Sequence, residues 1–427
     1  MTADSPAVAG PGWRVVHLTS VHPHDDTRIF HKECRSLAAA GFEVVLVAPG
    51  APDAPDHGVR FHPIPRPAGR LRRFATSGLA VFRAALAERG ALYHFHDPEL
   101  IPVGLLLRLC GKRVVYDVHE DVPAQLRSKH WLPHWLRGVV AGLTAAVQWV
   151  GLRAFSGVVA AGDDVAEALG RAGVTVVRNF PLLREFPDGD TSDYLQRAPV
   201  VVHVGNLSRI RASRELIAAM GHLPAGSPAR LVLVGRFTAD GLEAEVRGLP
   251  GWARTDYQGW GDRATVAKRL AEARVGVVMF GPHPNHYAVR SNKLFEYMAA
   301  GLPVVTPDFP AWRALVEGTG CGLVADPTDP AAIAAAVAAL LDDPARARAM
   351  GVRGREAVLA TYNWEAEFTR LRSLYERLLG PGMSGSRPRT DAACASSIST
   401  STSRCRPDPT APGVTRWRGA GCRPATR

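Results

Sequence analysis

The chain is short of cysteine, of long apolar runs and of clustered carboxylates, and each shortage closes a class of function. Six cysteines occur in 427 residues, at 34, 110, 321, 394, 405 and 422. None forms a CxxC pair and none stands at metal-ligand spacing with histidine, so a disulfide scaffold and a zinc finger are both excluded. Reduced, incidental thiols fit a cytoplasmic protein. No run of about 20 apolar residues is present, which speaks against a spanning helix. The nearest approach, Gly138–Leu152, is closed by Arg137 and Arg153; it reads as a buried helix, with membrane-surface contact as the rival. The opening residues, MTADSPAVAGPGW, carry no basic region followed by an apolar stretch, so no secretory signal is expected. The first strand is not followed by GxGxxG, and Gly318-Thr-Gly-Cys-Gly322 precedes a strand, which argues against a dinucleotide dehydrogenase.

The charge is one-sided but uneven. The formal net charge is +11, and residues 381–427, with eight arginines and two aspartates, supply more than half of it. That segment has no Leu, Phe, Tyr, Lys or Glu. It lacks the apolar surface to offset its ordering entropy and is expected to be disordered. The basic balance therefore says little about the rest, which has no basic-aromatic motif for nucleic acid.

What remains alternates between β-branched runs and amphipathic stretches. Strands are expected at 14–18, 42–48, 92–95, 113–118, 157–160 and 175–177, and helices at 27–40, 75–88 and 101–110. A loop rich in Pro, Asp and Gly from Pro181 to Pro199 interrupts the pattern. It restarts with strands at 200–204, 231–234, 255–257, 275–279, 303–305 and 322–324, and a last helix is expected over Trp364–Leu379. This is the signature of an α/β chain with two doubly wound, Rossmann-like halves. The expected division is a flexible 1–12, a first domain 13–190, a second domain 191–363, a helix 364–380 and the tail 381–427. Such sheets bind ligands at the carboxyl ends of their strands.

The segment Arg290-Ser-Asn-Lys-Leu-Phe-Glu-Tyr-Met-Ala-Ala-Gly-Leu-Pro-Val-Val305 carries the clearest chemistry. Ser291 or Asn292 is a natural cap, Gly301 ends the helix, and Pro303 prevents its continuing. The helix start offers N–H groups and a positive dipole end that suit a phosphate, with Arg290 and Lys293 adding charge. Glu296 stands one turn on, where a carboxylate can accept hydrogen bonds from ribose hydroxyls; a solvated glutamate is the plainer alternative. His119 follows the strand 113–118 at its carboxyl end, flanked by Asp117 and Glu120, and His96 and Asp97 follow another strand. Asp26 and Arg28 lie in the first strand-to-helix turn, where Asp26 as an N-cap is an equal rival to a substrate contact.

The run NKLFEYMAAGLPVV resembles the nucleotide-sugar signature of GT-B glycosyltransferases, specifically glycosyltransferase family 4. Further pieces follow in order. His203-Val-Gly-Asn-Leu-Ser-Arg-Ile-Arg211 resembles the strand-turn opening the donor domain, and Leu231-Val-Leu-Val-Gly-Arg-Phe237 the next strand and turn. Tyr257-Gln-Gly-Trp260 resembles the base-binding loop, and Tyr362-Asn-Trp364 the start of a helix that crosses back to the first domain. His94-Phe-His96-Asp-Pro-Glu99 and Tyr116-Asp-Val-His-Glu120 resemble first-domain segments near the acceptor. The resemblance covers about residues 13–380.

It implies two domains facing across a cleft and a retaining transfer of sugar from a nucleotide diphosphate to a glycan, lipid-linked or small-molecule acceptor. Arg211 and Lys293 would stabilise the departing diphosphate, with the amides of Asn292 to Leu294 and the neighbours Ser291 and Arg290. Glu296 would hold the ribose. His119 would touch the donor sugar, with Asp117 orienting it or meeting the acceptor. Gly205, Asn206, Arg209, Gly235, Arg236, Gly259 and Trp260 would line the donor side, and His96, Asp97, Asp26 and Arg28 the other. No acidic metal motif stands beside a donor strand, so no metal and no cofactor beyond the nucleotide sugar is expected, and cations with a helix N-terminus take the metal's place. Surface glycan or lipid-linked assembly is the implied setting, and peripheral membrane contact follows from it.

Three positions depart from the family pattern. A second Glu eight residues before the ribose Glu is Ala288 here, leaving the sugar to Asn285, His286 or backbone. The Arg after the donor-domain Gly is Asn206, with Arg209 as a replacement, and the Gly pair after the first strand is replaced by Ser20-Val-His-Pro-His-Asp-Asp26. A GT-B nucleotide-sugar epimerase and a non-catalytic nucleotide- or glycan-binding protein are the alternatives.

Overall fold

The computed structural model describes residues 12–380 apart from 66–69, 121, 123–133, 187–192, 284–285 and 288–290, and for residues 70–76 and 134–136 only the backbone. The expectations for 1–11 and for the tail 381–427 lie outside the described residues, as do Arg290, Ala288 and Asn285.

Two parallel sheets build the chain. The first comprises β1 (Arg14–Leu18), β2 (Glu43–Pro49), β3 (Val59–Ile64), β4 (Leu92–Phe95), β5 (Arg113–Val118), β6 (Gly157–Ala160) and β7 (Thr175–Val176), in the order β3-β2-β1-β4-β5-β6-β7. The second comprises β8 (Val200–Val204), β9 (Arg230–Val234), β10 (Thr255–Tyr257), β11 (Val275–Val277), β12 (Val304–Pro307) and β13 (Gly322–Ala325), in the order β10-β9-β8-β11-β12-β13. The pairings are parallel, and helices supply the crossovers. Each order reverses beside its first strand, between β1 and β4 and between β8 and β11, and at such a switch point the connections part and leave a crevice. This is a GT-B-like α/β fold.

The apolar runs explain the sheets: inner strands such as β2 and β5 are buried on both faces. β3 was absent from the expected strands. Its Pro63 cannot donate to a ladder, and the strand lies at the sheet edge where that costs nothing. The helix expected from Thr27 to Ala40 opens instead as a π-helix, Thr27–Cys34, before continuing as Arg35–Ala39. Asp26 caps it by accepting from the Arg28 and Ile29 amides. With about five residues between hydrogen-bonded partners, a π-helix sets Arg28 and Glu33 on one inward face. The helix Trp364–Leu379 packs Trp364, Leu371, Leu374, Tyr375 and Leu379 into the core of the first sheet.

Candidate active site

On one face of the first sheet, three adjacent strands run from apolar to ionisable. The positions are Val15 and His17 on β1, Leu92 and His94 on β4 continuing to His96, and Val115 and Asp117 on β5 continuing to His119. Side chains alternate with period two, so each series faces the same way, and register sets His17 against His94. Arg28 reaches into this face from the π-helix. Its Nε and Nη2 donate to the two oxygens of Asp117 at 2.8 and 2.9 Å, and its Nη1 donates to the Val177 carbonyl at 2.9 Å. His119 Nε2 is 3.1 Å and His96 Nδ1 3.3 Å from Asp117 Oδ2. Burial alone would push the Asp117 carboxyl up; Arg28, His119 and His96 outweigh it and hold the group well below the ordinary carboxylate value. Asp117 and His96 are buried and His119 is about a quarter exposed, so His119 carries the arrangement to the surface.

Asp97 closes the top of the same strands. Its Oδ2 accepts from Thr19 Oγ1 at 2.8 Å and from the Ser20 amide at 2.6 Å, tying the end of β1 to the end of β4. Asp26 lies 3.4 Å from His22 as well as capping the π-helix.

The second sheet ends differently. Gly205, at the end of β8, has φ of +109°, a region that favours glycine. The place its Cβ would occupy is 2.6 Å from Lys293 Nζ and 3.6 Å from Arg211 Nη1. Glycine thus leaves room for two cations to converge on the strand end. Gly235 packs behind it so closely that a side chain would strike the Gly205 carbonyl, and its amide donates to Gly259 at 2.7 Å. The helix Asn292–Ala299 delivers Lys293. Ser291 is its N-cap residue, the Leu294 amide donates to the Ser291 carbonyl at 3.0 Å, and the Leu294 side chain is buried. Tyr297 fixes the helix to the sheet by accepting from the Val204 amide at 2.8 Å. Burial, and then the neighbouring Arg211, push Lys293 down to about 7. The Arg211 guanidinium lies 5.8 Å from the centre of the Phe280 ring.

Glu296 is buried, and its Oε1 accepts from Arg263 Nη1 at 2.8 Å; Arg263 Nη2 also reaches Glu185 in the linker between the sheets. Lys32, on the π-helix, donates to Asn179 of the same linker. Burial pushes Lys32 down to about 7, with Glu296 drawing it the other way. Arg236 sits 5.6 Å from the centre of the Trp260 ring, which is exposed, and Asn206 is exposed too. Arg209 turns to Glu245, which Arg214 also holds.

The structure therefore gathers two groups from the expected residues: Asp117, His119, His96 and Arg28 on one sheet, and Gly205, Arg211 and Lys293 on the other. Arg28 is spent on Asp117, and Arg209 on Glu245. His17, Glu33, His94, Lys32, Arg263 and Tyr375 belong to these surroundings and were not singled out from the sequence. A signal was present for the histidines: a lone polar residue in the apolar run of β1 and a His-x-His alternation leaving β4.

The chain is similar to known proteins along both sheets. Residues 27–181 match the model of the glycosyl transferase 4-like domain, and residues 198–343 that of the glycosyl transferases group 1. The chain belongs to the GT-B glycosyltransferases of family 4 type. A phosphatidyl-myo-inositol mannosyltransferase of Mycolicibacterium smegmatis is 26% identical over 366 residues, 81% of this chain and 88% of its own. A GDP-mannose-dependent alpha-mannosyltransferase of Mycobacterium tuberculosis is 26% identical over 320 residues, 69% of this chain and 78% of its own. Among solved structures, the sucrose-phosphate synthase of Thermosynechococcus elongatus superposes with a TM-score of 0.66 at 24% identity, over 86% of this chain and 98% of its own. Anabaena HepE with UDP and glucose gives 0.65 at 16% identity, over 86% of this chain and 100% of its own. The family 4 chain is thus a glycosyltransferase with a nucleotide-sugar donor, and neither the epimerase nor the binding-protein reading is favoured. Among the described residues, no helix is long and apolar enough to cross a membrane.

Proposed function

We propose that this glycosyltransferase moves a hexose from a nucleoside diphosphate to a lipid-linked or glycan acceptor with retention of configuration, at the cytoplasmic face of a membrane. One observation carries the donor half: Lys293 and Arg211 converge on the glycine at the end of β8. Two cations held in a partly dry site oppose the negative charge that builds on a departing diphosphate, and the work of assembling them is done in folding. They serve there without a metal ion. Glu296 takes the ribose hydroxyls once Arg263 yields, and Trp260 with Arg236 flanks the base. His119, oriented by Asp117, meets the sugar. The acceptor attacks from the face the diphosphate leaves, and the leaving phosphate takes the acceptor proton. The two domains, 13–190 and 191–363, close over the sugar and keep water from competing.

The acceptor half rests on the helix His134–Ala154. Val139, Leu143, Val147 and Val150 are spaced along one side and are exposed, and Arg153 covers the nearby Trp149 ring at 3.6 Å. An exposed apolar stripe with interfacial Trp and Arg suits the surface of a lipid bilayer. The similar phosphatidyl-myo-inositol and GDP-mannose-dependent mannosyltransferases, and HepE with UDP and glucose, make mannosyl and glucosyl donors the first to try. The test is incubation of the full chain with labelled nucleotide sugars and phospholipid vesicles carrying extracted acceptor lipids, followed by NMR of the product. A lipid-bound sugar whose anomeric configuration equals the donor's is expected. An inverted product, or acceptor-free conversion of the donor, would contradict the proposal.

A further inference from the structure

The face behind Asp117 holds more buried donor atoms than the proposed sugar transfer uses. His17 on β1 pairs with His94 on β4, His96 lies just past the end of β4, and Glu33 descends on them from the π-helix. All four are buried, and one donor atom from each lies within 4.8 Å of every other. His17 Nδ1 is 3.0 Å from His96 Nε2. Glu33 Oε2 is 3.8 Å from His17 Nδ1, 3.8 Å from His94 Nδ1 and 3.9 Å from His96 Nε2. A tetrahedral zinc ion with bonds of about 2.0–2.1 Å spaces its donors about 3.3 Å apart, inside that range.

The polar accounting points the same way. No N–H or hydroxyl donates to either oxygen of Glu33; its neighbours are the Asp117 carboxyl and, 3.1 Å from Oε1, Arg28 Nε, a guanidinium already committed to Asp117. A carboxylate buried in that state is costly unless a cation meets it. The outer partners of a metal-bound imidazole are also in place. His96 turns its far nitrogen, Nδ1, to Asp117 at 3.3 Å, and His17 turns Nε2 to the Tyr375 hydroxyl at 3.2 Å. Such contacts fix the tautomer and aim the ligating nitrogen. Tyr375 also approaches His94 Nδ1 at 2.7 Å, so a metal would take that lone pair and leave the hydroxyl to His17.

We propose that His17, Glu33, His94 and His96 hold one structural zinc ion. Three imidazoles and a carboxylate suit zinc, and four protein donors close its coordination. The ion would lock β1, β4 and the π-helix together beneath Asp117 and His119; it is a positioning device, separate from the cations that face the diphosphate. The rival to the ion is a proton held by Glu33 beside the Asp117 carboxyl.

The test reads metal rather than turnover. The full chain, expressed with added zinc and purified without a histidine tag, is dialysed and weighed for metal by plasma mass spectrometry. It is then stripped with a chelator and reloaded with cobalt(II), whose visible absorption reports coordination. About one zinc per chain, and a four-coordinate nitrogen-oxygen cobalt spectrum, are expected. Glu33→Gln and His94→Gln should reduce zinc to background, and Tyr375→Phe should keep it with about tenfold weaker affinity. A natively folded wild-type chain with no zinc and no four-coordinate cobalt spectrum would overturn the proposal, as would zinc content unchanged in both ligand variants. If those variants fail to fold, the wild-type cobalt spectrum decides by itself.

Discussion

The strand ends of the two sheets solve opposite electrostatic problems. On the first sheet the buried charge of Asp117 is answered from within: Arg28 forks onto it, and Asp117 in turn holds His119. On the second sheet two cations, Lys293 and Arg211, are pressed together at Gly205, and the nearby acid Glu296 is bonded to Arg263 instead. Burial lowers both groups, and Arg211 lowers Lys293 further. The first arrangement is complete and holds a side chain in place. The second is completed by an anion from outside, which is what a donor diphosphate supplies.

The sharpest way to break this contrast is to remove one cation from each side. Arg28→Met strips the buried Asp117 carboxylate of its guanidinium and should cost about 3–5 kcal/mol in urea unfolding. Lys293→Met should leave stability unchanged or raised, because it relieves repulsion. Equal losses from the two would erase the distinction. Activity should invert the order of the donor-side change: Lys293→Met and Arg211→Ala should each lower kcat/KM by about 100-fold or more in steady-state assays. His119→Ala should reduce turnover by about 100-fold and shift nucleotide affinity by less than about threefold, since it meets the sugar and not the nucleotide. Glu296→Ala should weaken nucleotide binding by about tenfold, the value of a charged hydrogen bond to the ribose less the bond it now accepts from Arg263.

The smallest effect is the pH dependence. Lys293 and Lys32 each sit at about 7, so both lose charge as pH rises through neutrality. Affinity for a nucleoside diphosphate should fall above about pH 7, and binding at about pH 8 should take up protons, readable by calorimetry in buffers of different ionisation enthalpy. Stability should move the other way. Unfolded lysines keep their protons to about pH 10.4, so between those values the unfolded state binds more protons and stability rises with pH.

The sheets were largely legible because buried parallel strands write themselves as β-branched runs: Leu92–Phe95, Arg113–Val118 and Gly157–Ala160 lie where the sequence puts them. His119, Asp117, His96 and Asp97 were legible for a related reason, since each follows or ends such a run. What stayed hidden depends on contacts across the chain. Tyr375 meets His17 and His94 only because the last helix lies on the first sheet. Glu33 reaches the histidines because a π-helix, indistinguishable by composition from an α-helix, resets its face. The pairing of Glu296 with Arg263, and of Arg263 with Glu185, joins segments about 30 and about 80 residues apart, beyond any local pattern.

The central claim is that the second sheet's cations await a nucleoside diphosphate. Calorimetric titration of the full chain with UDP, GDP, ADP, CDP and dTDP, beside NAD, tests it most directly. One nucleotide bound well above the rest, and lost in both Arg211→Ala and Lys293→Met while Arg209→Ala binds as wild type, is the expected result. Binding of none of them, or binding that survives removal of both cations, would contradict it.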